Sequence, residues 1–292
     1  MSELRPDSPV RRPQTARART GSSDEVAPPT ATELEAIERH LVALPGLEGA
    51  VVTDDEELGL TFVRGPGSGP DLTYAASPRW TDDDWAARLM ALRRRMRDEH
   101  AGPSLLLRDG PGQPVELRAE LERQGWMPVV GETVMWTGRA AVVPHLDPGM
   151  RLEAVRPSAL ATHERLEREI FGIGAEQVSR RRAALGAALG SGRLRAWVVW
   201  LGDEPVAVAR LSQGEAVAGL QGIGVVPAHR GRGSGPLITT IATRTGMATG
   251  NRIVWLSVSE DNEPAVRVYV ALGFARAYRW TRWLMTEDPR RR

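Results

Sequence analysis

Six consecutive residues, Arg230-Gly231-Arg232-Gly233-Ser234-Gly235, have the types and spacing to hold a polyanion. Three glycines let the chain turn tightly, with positive φ where needed and nothing projecting into the turn. An apolar run precedes the loop. Leu237, Ile238, Ile241 and Ala242 follow it at helical spacing, so residues 220–241 read as strand, loop and helix. A helix N-terminus exposes free N–H groups and a partial positive charge, which favour an anion. Arg230 and Arg232 add full charges with a fork geometry suited to phosphate oxygens. Pro236 falls in the first helical turn, where its missing N–H costs little, although it removes one amide from the cradle. Taken alone, the hexapeptide is equally a flexible Arg/Gly surface turn.

Two other phosphate motifs are excluded. A P-loop needs Gly-Lys-Ser/Thr, and the chain has no lysine. A dinucleotide fingerprint needs G-x-G-x-x-G, which neither Gly222-x-Gly224 nor Gly231-x-Gly233-x-Gly235 supplies. A second stretch, residues 254–274, carries more information. It reads as a strand ending near Ser259, then Asn262, a short helix with Ala265, Val268, Tyr269 and Leu272, and Gly273-Phe274. Strand, Arg-x-x-Gly-x-Gly and helix, followed by strand, Asn-x-x-Ala-x-x-x-Tyr and Leu-Gly-Phe, resembles the GNAT N-acetyltransferase superfamily over about residues 150–286.

That resemblance implies an α/β (α+β) fold, a mixed and mostly antiparallel twisted sheet flanked by helices. It implies acetyl-CoA as co-substrate and an amine as acceptor, with no metal. By resemblance, residues 230–235 hold the pyrophosphate, and Ile223 and Val225 offer main-chain groups to the pantetheine arm where their strand splays from its neighbour. Asn262 would hold that arm or orient the site, although its position suits a helix cap equally. Tyr269 stands where relatives place the residue that protonates the leaving sulfur, or it packs as an ordinary aromatic. Phe171 and Glu176 line the acceptor wall on the same basis, or are a core residue and a helix-start charge. Many relatives carry a glutamate near position 221, where this chain has Gln221, which cannot take a proton. Glu215 is about 33 Å along the strand from Val225 at the usual rise, too far to act directly. No base is named from sequence. A water relay, an acid from the first half or an acceptor arriving neutral all remain open.

The elements that must position these groups fill a chain of 292 residues, enough for two domains. A net charge of +1 argues against nucleic-acid binding by electrostatics. The absence of cysteine excludes disulfides and thiolate chemistry, and the five scattered histidines form no metal pair. Without a long apolar run or a secretory h-region, the chain reads as a cytoplasmic protein with no membrane partner. Homodimerisation is left open.

Residues 1–30 read as a disordered tail, 31–139 as a first domain, 140–149 as a linker, 150–286 as the catalytic domain and 287–292 as a basic tail. In the first domain, Thr32 with Glu35 predicts a capping box for a helix to about residue 44. Strands are expected at 49–53, 58–63 and 72–76, with a hairpin loop at 65–70. A helix capped by Thr81 should bury Trp85, Leu89, Leu92 and Met96. A strand at 104–107, a helix at 114–124 and a strand pair at 126–136, broken at Gly131, complete it. This order, ending in Gly125-Trp126 where the second half has Gly273-Phe274, suggests a degenerate internal copy of the same fold. Asp82, Asp83 and Asp84 crowd the helix start that would meet a phosphate, so the copy should not bind one.

In the second domain, a strand at 150–155 precedes a helix capped by Ser158 and a second helix at 175–189. Strands at 194–201 and 205–212 lead to the central strand at 216–226, in which Gly222 and Gly224 mark a bulge or close approach. The implied activity is acetyl transfer from acetyl-CoA to a primary amine on a small molecule, by direct attack in a ternary complex. A non-catalytic acyl-CoA-binding regulator is the alternative, and acetylation of a protein N-terminus or lysine a further one.

Overall fold

The computed structural model describes residues 26–65, 73–99, 102–110, 112–144 and 148–285. Residues 1–25 of the expected tail at 1–30, residues 66–70 of the expected hairpin loop at 65–70 and the whole basic tail at 287–292 lie outside the described residues.

The first half runs α1 (Ala31–Ala43), β1 (Val51–Asp55), β2 (Leu60–Arg64), β3 (Thr73–Ala76), α2 (Trp85–Asp98), β4 (Ser104–Arg108), α3 (Leu117–Arg123) and β5 (Trp126–Thr137). The second runs β6 (Met150–Ala154), α4 (Leu160–Phe171), α5 (Ala175–Gly190), β7 (Leu194–Leu201), β8 (Glu204–Gln213), β9 (Val217–Val225), α6 (Ser234–Ala248), β10 (Ile253–Ser259), α7 (Glu263–Ala271) and β11 (Ala275–Met285).

Four local expectations need correction. The capping box of α1 is Thr30 with Glu33, not Thr32 with Glu35. Glu33 accepts from the Thr30 N–H at 2.8 Å and Thr30 Oγ1 from the Glu33 N–H at 3.3 Å. The Thr-x-x-Glu spacing occurs twice in register, and the ion pair of Glu33 with Arg252 favours the earlier one. Thr81 does not cap α2; its own N–H is bound by Asp84 at 2.8 Å, and the helix starts at Trp85. Ser158 lies in a 3-10 turn ahead of α4 rather than capping it. Gly131 does not break β5. An arginine, Arg279, lies 2.5 Å from where a Cβ would stand, so the glycine marks a close approach within one continuous strand.

All strands join one sheet in the order β1-β2-β3-β4-β11-β5-β10-β9-β8-β7-β6. Pairing is antiparallel except for β3 with β4 and β9 with β10. Outward from the β11–β5 contact the strands run β4-β3-β2-β1 on one side and β10-β9-β8-β7 on the other, with β6 added at that end, which supports two copies of one fold. The last strands are exchanged: β11 completes the sheet of the first half against β4, and β5 completes that of the second against β10.

Cores form on both faces. Val254, Leu256 and Val258 of β10, with Ala218 and Leu220 of β9, meet Leu237 and Ile238 of α6 and Tyr269 of α7. On the other face Ile253 and Trp255, with Val134 and Trp136 of β5, meet Ala36 and Ile37 of α1. A helix from the first half thus covers the sheet of the second. Among the described residues, no helix is long and apolar enough to cross a membrane.

A buried charge cluster adds a further tie between the halves. Glu48, just after α1, pairs with Arg210 of β8 at 2.6 Å and with Arg181 of α5 at 3.5 Å. Arg210 also stands 3.3 Å from Glu167 of α4. Burial opposes ionisation of Glu167, but His163 and the charges of Arg210 and Arg181 outweigh it and hold its pKa at about 2.

Candidate active site

The Arg/Gly loop sits where the sequence places it, at the start of α6. Gly231 and Gly233 have φ of +76° and +86°, with open space where a side chain would project. Among the described residues, no main-chain acceptor takes the amides of Gly231, Arg232, Gly233, Ser234 or Gly235. The Ser234 hydroxyl is buried with no partner. Five free amides, an orphaned hydroxyl, a helix N-terminus and two exposed arginines make a cradle for phosphate oxygens. Beside it, Pro236 of α6, Pro264 and Val268 of α7 and Leu272 just after it line a mostly apolar cleft of about 320 Å³.

From the cradle the path leads along β9. Pairing of β9 with β10 ends at Leu220 and Leu256, although β9 continues to Val225 and β10 to Ser259. The two strands therefore part company from Gln221 and Ser257 onward. The Val226 N–H donates to Val206 on the β8 side at 2.9 Å. By the alternation of a strand, the main-chain groups of Val225 and Ile223 point the other way, into the fork. Arg230 Nε reaches the Val225 carbonyl at 3.3 Å and ties the loop to this edge. The glycines behave as their sequence suggests. Gly222 has φ +55° beside a shift of register against β8. Gly224 lies under α4, where a Cβ would come within 2.6 Å of the Phe171 ring.

Phe171, 44% exposed, thus covers β9 beside the fork. Glu176 instead points outward at the start of α5 and pairs with Arg180 one turn on. Asn262 is the N-cap of α7, its side chain accepting from the Ala265 N–H at 3.3 Å. Tyr269 is buried beside Phe274, and burial pushes its pKa up to about 12. It is therefore protonated throughout the physiological range. Outright proton transfer to a thiolate near pKa 8.5 would be uphill by about 5 kcal/mol, so this side chain is suited to donating a hydrogen bond.

Gln221 is fixed on the α1 face. Its Nε2 donates to Ser212 Oγ at 2.5 Å, and Ser212 contacts His40 Nε2 at 3.0 Å. The Trp255 indole N–H, which can only donate, is 3.2 Å from His40 Nδ1. That assigns the remaining proton of the neutral ring to Nε2, facing Ser212. Burial lowers the His40 pKa from 6.5 to about 4. The folded value lies below the unfolded one, so the unfolded chain binds more protons between these limits. The contribution of His40 is complete above pH 6.5 and falls as pH drops towards 4, by about 3 kcal/mol in all. Urea melts from pH 4.5 to 7 should show this slope, and His40→Phe should flatten it.

Sequence reasoning missed Glu132, Ser257 and Trp280, which β5, β10 and β11 place side by side at the fork. Ser257 Oγ donates to Glu132 and accepts from Trp280 Nε1 at 3.1 Å. No spacing could reveal this cluster, since Glu132 lies more than a hundred residues from Ser257 and Trp280 and the exchange of β5 and β11 brings it to them.

The corresponding place in the first half carries acids in place of an Arg/Gly loop. Asp84 pairs with Arg88 at 3.1 Å and binds Thr81, and buried Trp80 donates to the Leu58 carbonyl at 2.7 Å. Among the described residues, no three His, Asp or Glu side chains are grouped to hold a metal ion.

Residues 161–274 match the acetyltransferase (GNAT) family. No curated protein matches the chain by sequence. Among solved structures, the chain is similar to a GCN5-related N-acetyltransferase from Kribbella flavida, with 17% identity and a TM-score of 0.66 over 87% of this chain and 96% of that one. One from Sphaerobacter thermophilus gives 16% identity and 0.61 over 89% and 95%. A tandem GNAT protein from the clavulanic acid biosynthesis pathway gives 18% and 0.58 over 78% and 79%. At these identities the likeness is one of fold, and it covers both halves.

Proposed function

We propose that this chain, whose residues 161–274 form a domain of the acetyltransferase (GNAT) family, transfers an acetyl group from acetyl-CoA to a primary amine of a small molecule in a ternary complex. The observation that carries this reading is the continuity of the phosphate cradle with the fork between β9 and β10. Acetyl-CoA would supply an activated thioester. Gly231, Gly233, Ser234 and Gly235 would hold its pyrophosphate through their amides, with Arg230 and Arg232 adding charge and the unpartnered Ser234 hydroxyl a further donor. Ile223 and Val225 would offer main-chain groups to the pantetheine arm, as an added strand receives them. Tyr269 would donate a hydrogen bond to the departing sulfur, and Asn262 would keep α7 and therefore Tyr269 in place. Polar side chains at the fork and Phe171 on α4 suit a compact acceptor.

A second reading is favoured by Gln221, which is locked into a structural hydrogen-bond network. In that reading the protein binds acyl-CoA and regulates or recruits without turnover. One experiment separates the two. Acetyl-CoA with a panel of small amines, and with peptides bearing a free N-terminus or lysine, should give turnover with a small amine. Tyr269→Phe should lower kcat by about 10- to 100-fold with the KM for acetyl-CoA nearly unchanged. Acetyl-CoA binding with no turnover of any amine would favour the regulator, and turnover of peptides alone would move the acceptor to protein.

A further inference from the structure

We infer that Glu132, delivered to the second half's site by the exchanged strand β5, is the general base that takes the proton from the acceptor amine. This role rests on the acetyltransferase reading and supplies the base that Gln221 cannot be.

The placement follows from register. On β5, Glu132 lies opposite Ser259 of β10 and opposite Trp280 of β11. Its carboxylate is held by the Ser257 hydroxyl, which is also bound by Trp280. Ser257 is the first residue of β10 beyond its last pair with β9, and Gln221 is the first of β9. Trp255 and Ser212 both contact His40 of α1, which puts Ser257 and Gln221 on that same face. Gln221, Ser257 and Glu132 therefore form a row across the mouth of the fork. All three are partly exposed. Gln221 spends its amide N–H on Ser212, which leaves its carbonyl oxygen to accept from an ammonium group.

Arg282 on β11 acts on Glu132, Glu260 and Arg279 pair with each other beyond the end of β10, and His40 on α1 is neutral above its low pKa. Burial raises the Glu132 pKa, against the Ser257 hydrogen bond and Arg282, which lower it. This is the direction a base working near neutrality needs.

The step balances as follows. An acceptor ammonium gives one proton to the Glu132 carboxylate, directly or through the Ser257 hydroxyl, which passes its own proton on. The freed amine lone pair forms the C–N bond as the C–S bond breaks. The thiolate leaves against Tyr269 and takes up the second proton lost by nitrogen. Glu132 returns its proton to solvent.

Glu132→Gln keeps an acceptor for Ser257 and should melt close to wild type. Its kcat/KM for the amine should fall by about 100-fold or more at neutral pH, with acetyl-CoA affinity unchanged by calorimetry. The acidic limb of the pH–kcat/KM profile that reports the carboxylate should disappear. Ser257→Ala removes a hydrogen bond that favours the charged carboxylate, so its acidic limb should move to higher pH. A Glu132→Gln enzyme within twofold of wild type, with the same acidic limb, overturns this role and leaves the acetyltransferase reading standing. A wild-type protein that binds no acetyl-CoA overturns both.

Discussion

Gly233→Glu should weaken acetyl-CoA binding by at least about 100-fold, a loss of roughly 2.7 kcal/mol. Two causes act together. At φ +86° Gly233 occupies a conformation that costs a side chain about 1–2 kcal/mol. The added carboxylate would also lie among five free amides and two arginines, and would occupy the charge meant for the phosphates. Gly233→Ala separates the causes, because it keeps the strain without the charge, and about a tenfold loss is expected of it. Calorimetric titration with acetyl-CoA checks both variants. Wild-type affinity in Gly233→Glu would place the phosphates elsewhere and remove the main support for the proposed function. Melting temperature serves as the control: the strained φ should lower it by a few degrees, while the open space around the loop and the fit of a glutamate to the helix dipole keep the fold intact.

Arg210→Met should have the largest effect on stability, about 3–5 kcal/mol. The guanidinium lies between Glu48 and Glu167, and removing it leaves buried Glu167 and partly exposed Glu48 short of positive charge. Glu167 is held ionised against burial by the very groups of which Arg210 is one. Adding Glu167→Gln to Arg210→Met should recover a substantial part of the loss, because it removes the uncompensated charge rather than restoring a contact. Denaturant melts of the single and double variants measure this. A loss below 1 kcal/mol in Arg210→Met would mean that water already screens the cluster. Arg210 also stands within 3.5 Å of where a Cβ on Gly222 would be, so the variant should disturb the bulge of β9 as well.

Much of the second half was legible in the sequence because its cues are local. A strand, a turn of glycines with positive φ and an apolar helix face are each set by neighbours a few residues apart, so the Arg/Gly loop and α6 fell where the spacing put them. The apolar face of α2 was equally plain, and Trp85, Leu89, Leu92 and Met96 are all buried. Where the sequence misled, two local solutions competed and a distant partner chose. Thr30 prevailed over Thr32 as a cap in the company of Arg252, and Gly131 made room for Arg279 instead of ending a strand.

What only the tertiary structure decided is how the halves share their sheet. The periodicity of β5 and β11 fixes which side chains share a face but says nothing of which edge each strand will join. Main-chain hydrogen bonding is the same whichever strand supplies it, so the choice between pairing within a half and exchange between halves rests on contacts dispersed along the whole chain. By itself the sequence determined a similar order of elements in the two halves, the Arg/Gly turn at a helix start and an amide rather than an acid at position 221. The exchange decided that an acid from the first half, Glu132, stands at the fork of the second.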